Sequence, residues 1–103
     1  MIMNATDWNT ALYEKMSDEQ DKFRDWLKGQ PPEEILHHTY EYTVREDIVM
    51  AMEQLELTDA QAQALLDSSS PLADVYRYFE KLETGYMDVI RDSIENRADD
   101  VCR

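Results

Sequence analysis

A chain of 103 residues with 43% hydrophobic and 32% charged side chains has the size and make-up of one globular domain with a thin core. Its 23 acidic residues against 10 basic ones leave a formal net charge of −13. That balance argues against direct binding to nucleic acid or to an anionic membrane by counterion release, and favours a basic partner reached quickly and with strong salt dependence.

Two glycines and three prolines are few turn-formers for this length, so the chain reads as long helices with short connections. A first helix should start near Thr6 or Asp7, either of which can cap it. Trp8, Leu12, Met16, Phe23, Trp26 and Leu27 recur at helical spacing and form its apolar stripe, while Ser17 to Lys22 should face solvent. Gly29, Pro31 and Pro32 end it. Pro32 opens a second helix at its first position, with Glu33 and Glu34 favouring the positive end and Ile35, Leu36, Thr39 and Tyr40 giving a short apolar face.

Thr43-Val44-Arg45-Glu46 has the spacing of a capping box, which predicts a break near Tyr42 or Thr43 and a third helix carrying Val44, Ile48, Met52 and Leu55. One unbroken helix from Pro32 to Gln54 is the alternative. Thr58 and Gln61 repeat the signal before a short helix with Ala62, Leu65 and Leu66. Ser70 and Pro71 then open a last helix running to about Asn96, with Leu72, Val75, Phe79, Leu82, Tyr86 and Val89 in step. This stripe fits a coiled-coil seam or the inner side of a long bundle helix. It is shorter than the three to four heptads a coiled coil asks for, which favours the bundle.

The expected fold is therefore all-α, a small bundle of four to five helices with a long C-terminal helix, forming a single acidic domain over residues 1–103. Trp8, Leu12, Phe23, Trp26, Leu36, Tyr40, Ile48, Met52, Leu65, Leu72, Val75, Phe79, Leu82 and Tyr86 are the expected core.

The excess negative charge is spread evenly, with 11 acids and 5 bases in residues 1–52 and 12 and 5 in residues 53–103. Cys102 is the single cysteine, which suits a reducing compartment. The start at Met1-Ile2-Met3-Asn4 has no basic or apolar leader, and no apolar run approaches a membrane span. The expected location is the cytoplasm of a bacterial host.

Three features are candidates for function. Asp88, Asp92, Glu95 and Asp99 step by four, three and four, so they share one helix face and carry carboxylates at intervals like those of backbone phosphates. Tyr76 and Tyr78 cannot both face the core, and an exposed tyrosine among acids suits an interface, which adds Tyr78 to the partner-binding set. Glu34 and His37 are spaced as in helical di-iron sites, with His38 and Glu41 nearby, but the motif occurs once where such sites need it twice. The expectation is accordingly no metal, no other cofactor and no enzymatic role. A small metal or redox protein built on Glu34 and His37 is a rival reading.

The segments Phe23 to Leu27, Pro31 to Leu36, Tyr40 to Ile48 and Ser70 to Val75 resemble an uncharacterised family of small acidic proteins from mobile elements of gut bacteria. Size, charge and that setting also resemble anti-CRISPR inhibitors of type II RNA-guided nucleases. The resemblance implies a non-catalytic inhibitor, and the charge and spacing of the last helix add a DNA mimic in which an acidic surface competes for a nucleic-acid-binding site on a basic protein. The alternative is a regulatory or accessory protein of a mobile element that binds a basic DNA-processing protein.

Overall fold

Asp7 starts the first helix, α1 (Trp8–Lys28), in the computed structural model, which describes residues 7–82 and 85–102. Its carboxylate accepts hydrogen bonds from the Thr10 hydroxyl at 2.6 Å and the Thr10 N–H at 3.1 Å, and both contacts hold its pKa below the ordinary value. The helix ends before Gly29, whose N–H donates to the Trp26 carbonyl at 3.1 Å. Pro31 is extended, and Pro32 opens α2 (Pro32–Ala51) where the sequence predicts.

Helix α2 runs unbroken, so the expected interruption at Thr43 does not occur. The Thr43 hydroxyl donates to the Thr39 carbonyl at 3.0 Å and caps nothing. Tertiary contacts hold the turn closed. The Gln20 amide donates to the Tyr42 carbonyl at 3.3 Å and to Glu46 at 2.9 Å, and Arg45 clasps Glu41 one turn back at 2.7 Å. A local capping signal loses here to side chains supplied by α1.

The second capping box does form. At the start of α3 (Asp59–Leu66), the Thr58 hydroxyl accepts from the Gln61 N–H at 3.1 Å and the Gln61 side chain accepts from the Thr58 N–H at 3.0 Å. Thr58→Ala is expected to lower stability by about 1 kcal/mol, measurable as a lower urea midpoint at unchanged slope. An unchanged midpoint would mean that packing on α1 alone sets this helix. That packing is substantial: Asn9 and Leu57 exchange two hydrogen bonds, at 2.9 and 3.0 Å, and the Lys15 ammonium donates to the Leu66 and Ser68 carbonyls at 2.9 and 2.7 Å. A cation there also complements the negative end of α3.

Helix α4 (Pro71–Leu82) is opened by Pro71, but its cap comes from another helix. The Glu19 carboxylate on α1 accepts from the Leu72 N–H and the Ala73 N–H, each at 2.9 Å. The expected solvent-facing run of Ser17 to Lys22 is corrected by this contact and by Gln20, which is 3% exposed. Arg45 completes the junction. Its guanidinium lies 3.8 Å from Glu19, 2.7 Å from Glu41, and 4.3 Å from the centre of the Phe23 ring. Three helices thus meet around one buried ionic group.

The core consists of Leu12, Met16, Val49, Met52, Ala62 and Leu72, with Trp8, Tyr13, Ile48, Leu57, Leu65, Leu66 and Val75 packed against it. Of the expected core residues, Trp26, Leu36, Tyr40, Leu82 and Tyr86 are exposed instead. For Leu36 and Tyr40 the reason is the row that α2 turns inward. His38, the pair Glu41 and Tyr42, then Arg45, Val49 and Met52 recur every three or four residues on that side, and its first half is polar. The apolar Leu36 and Tyr40 lie outside the row, and Leu36 is 75% exposed.

The expected single helix from Pro71 to Asn96 is also corrected. It is divided into α4 and α5 (Tyr86–Cys102), with Gly85 in a bend between them and residues 83 and 84 outside the described set. Leu72, Tyr76 and Phe79 line α4 and Met87, Ile90, Ile94 and Val101 line α5, rows that would share one face of a straight helix, so the division falls where Gly85, a poor helix former, interrupts the run. The outcome is an all-α bundle of α1 to α4 with a long C-terminal helix beside it. The molecule measures 67 × 34 × 21 Å, and its 18.2 Å radius of gyration exceeds the roughly 13 Å usual for 100 residues.

Candidate functional site

Helix α5 carries Asp88, Asp92, Glu95 and Asp99 on one exposed face, as their spacing predicts. None of its described residues is buried. Its ring contact with the bundle joins Tyr86 to Tyr40 on α2, with centroids 5.8 Å apart. Arg91 pairs with Asp88 at 2.7 Å, choosing it over Glu95. The stripe is thus anchored at its first carboxylate and open to solvent at the next three. Like charges one turn apart repel, by a few tenths of a kcal/mol per pair, so the stripe costs helix stability.

Tyr78 is exposed, as expected, and Tyr76 on the same helix is buried. Tyr78 sits on α4 beside a cleft lined by Leu65, Asp74 and Val75, none of them on α5. The five candidate positions therefore divide between two helices. At the Tyr78 cleft, a hydrogen bond from the Ser68 hydroxyl and then the Arg77 guanidinium lower the Asp74 pKa against an opposing effect of burial.

The histidine pair is arranged differently from its sequence spacing. His38, not His37, stands between two carboxylates, with Nε2 3.7 Å from Glu34 and Nδ1 3.3 Å from Glu41. His37 is exposed. Glu41 already holds Arg45, and the His38 ring packs edge-on to Trp26 at 5.3 Å and to Phe23 at 6.2 Å. His38 is thereby fixed as the lid of an aromatic layer of Phe23, Trp26 and Tyr42 between α1 and α2. Among the described residues no group of three or more His, Cys, Asp or Glu side chains is placed to hold a metal ion.

Sequence reasoning did not find the Glu19–Arg45–Glu41 junction. The signal was present in the capping-box spacing at Thr43 to Glu46, which it read as a local helix start.

A family model described as a protein of unknown function (DUF3848) matches residues 8–102. The chain belongs to that DUF3848 family. The match spans α1 to α5, so the acidic helix is part of the family unit as well as the bundle. Comparison with curated proteins and with solved structures returned no match. No described helix is long and apolar enough to cross a membrane.

Proposed function

We propose that this DUF3848 chain is a non-catalytic binding protein whose α5 carboxylates occupy a nucleic-acid-binding surface on a basic partner. A type II RNA-guided DNA nuclease is the partner that the resemblance to anti-CRISPR inhibitors selects. The observation that carries the reading is the ladder of Asp88, Asp92, Glu95 and Asp99 on an exposed helix that buries none of its residues. A helix free on that side can enter a channel, and the net charge of −13 steers it toward basic surfaces. The carboxylates stand about one turn apart on a rigid rod, so several reach a row of Lys and Arg side chains at once.

The test is inhibition of guide-loaded nuclease, with the protein added before or after target DNA. Inhibition should be strong when the protein is added first and weak once DNA fills the channel. Reversing Asp88, Asp92, Glu95 and Asp99 to lysine should weaken inhibition by about fourfold to eight-hundredfold, given roughly 0.2–1 kcal/mol for each of four exposed pairs. Raising salt from about 50 to 200 mM should weaken it too. Unchanged inhibition by the reversed variant rules out the stripe as the binding surface. Loss of binding to a different DNA-processing protein in that variant, without nuclease inhibition, moves the proposal to the accessory role.

A further inference from the structure

Helix α5 leaves the bundle at Gly85 and buries none of its described residues. A Cβ placed on Gly85 would meet nothing within 4 Å, so no packing at the joint fixes the angle of the helix. Glycine also leaves the backbone there free to turn. Arg91 and Ser93 use their hydrogen bonds within α5, on Asp88 at 2.7 Å and on the Val89 carbonyl at 2.8 Å.

The angle matters because the helix is a lever. Asp99 lies roughly 21 Å beyond Gly85 along a helix that rises about 1.5 Å per residue. A swing of about 20° at the joint moves it by about 7 Å, more than the rise of roughly 6 Å between carboxylates four residues apart. A joint left loose would therefore smear the acidic stripe over more than its own spacing.

Tyr40 and Tyr86 meet this need. Tyr86 is the first residue of α5, and Tyr40 stands on α2 outside the row that packs into the core. Core packing gives no reason for a large aromatic ring there. The two rings lie 5.8 Å apart at 45°, within the range of favourable aromatic pairs, and each keeps close to half its surface in water. Such a pair shifts an equilibrium by about two- to twelvefold, which favours one direction of α5 without locking it.

We infer that Tyr40 and Tyr86 are positioning residues, whose ring contact holds α5 in one direction from the bundle and presents the acidic stripe in a fixed orientation. What the orientation serves rests on the proposed function, whereas the orientation itself does not. The contact carries no charge, so it acts separately from the attraction of the stripe for a basic surface.

Distance measurement between two nitroxides on the full chain tests it. The labels go on Asp25→Cys in α1 and Ala98→Cys in α5, with Cys102→Ser removing the native thiol, and all three positions are exposed. The expected result is one narrow distance distribution, broadened by Tyr40→Ala and by Tyr86→Ala and restored by Tyr40→Phe, which keeps the ring. The double alanine variant should be no broader than either single one, as two residues acting through one contact require. Helix content and the thermal transition of α1–α4 should stay unchanged. Where Tyr40→Ala lowers that transition, Tyr86→Ala, outside the bundle, decides. A distribution as narrow in the alanine variants as in the parent overturns the inference, as does one already broad in the parent. In the nuclease assay the alanine variants should inhibit about two- to twelvefold less well at an unchanged salt dependence, whereas the lysine reversals flatten that dependence. A broadened distribution with undiminished inhibition overturns the presenting role. Absence of inhibition by the parent, with the distances as expected, overturns the proposed function alone and leaves the positioning pair standing.

Discussion

Replacing Glu19 with alanine should lower the stability of the bundle by about 3 kcal/mol, a large share of the 5–15 kcal/mol available to a domain. The carboxylate takes the two free N–H groups of Leu72 and Ala73 at 2.9 Å each, beside the positive end of α4. Its loss strands both donors and leaves Arg45, which is 9% exposed, with Glu41 as its remaining carboxylate contact. Charge-assisted hydrogen bonds are worth roughly 1.5–3 kcal/mol each, and partial access of water to the opened site returns some of that. Glu19→Gln should fall between wild type and alanine, since the amide oxygen still accepts one of the two bonds. The readout is urea unfolding followed by helical circular dichroism. A change below about 1 kcal/mol for Glu19→Ala would show that Ser70 or water replaces the carboxylate without cost.

Leu12→Ala should be as damaging or more so, by about 3–5 kcal/mol, with Leu36→Ala within about 0.5 kcal/mol of wild type. Leu12 has no exposed surface and belongs to the cluster with Met16, Val49, Met52, Ala62 and Leu72, where helices α1 to α4 meet. Truncation there removes apolar surface from the core and leaves a cavity that four short helices have little freedom to close. Leu36 sits on the outer side of α2, with three-quarters of its surface in water. The two leucines look alike in sequence, both in apolar helical patterns. Equal destabilisation by the two substitutions would place α2 in a different rotation about its axis.

That contrast marks where local signals stop. Helix class, the start at Pro32, the capping box at Thr58 and the shared face of Asp88, Asp92, Glu95 and Asp99 were all legible. Each depends on residues within one or two turns of one another: a ring that sets φ, a side chain that reaches three residues on, or a helical period that repeats. The rotation of α2 was not legible, because its inward row begins with His38, Glu41, Tyr42 and Arg45, polar positions that apolar periodicity passes over. Arg45 is buried because Glu19 and Glu41 neutralise it and Phe23 covers it, and two of those three partners come from α1.

The cap on α4 follows the same rule. Ser70 is the local candidate, but a carboxylate 53 residues from Leu72 in sequence outcompetes it by offering two charged acceptors in place of one hydroxyl. The candidate stripe belongs to the other kind of feature. One helix carries all four carboxylates, so their alignment needs no tertiary partner. Tyr78 was grouped with them as an exposed tyrosine among acids, and it belongs to α4, a separate helix. Sequence by itself determined the helix class, the helix starts at Pro32 and Thr58, and the acidic face of α5. The tertiary structure decided which sides of the helices turn inward, because a buried charge is stable only where another helix supplies its counterpart.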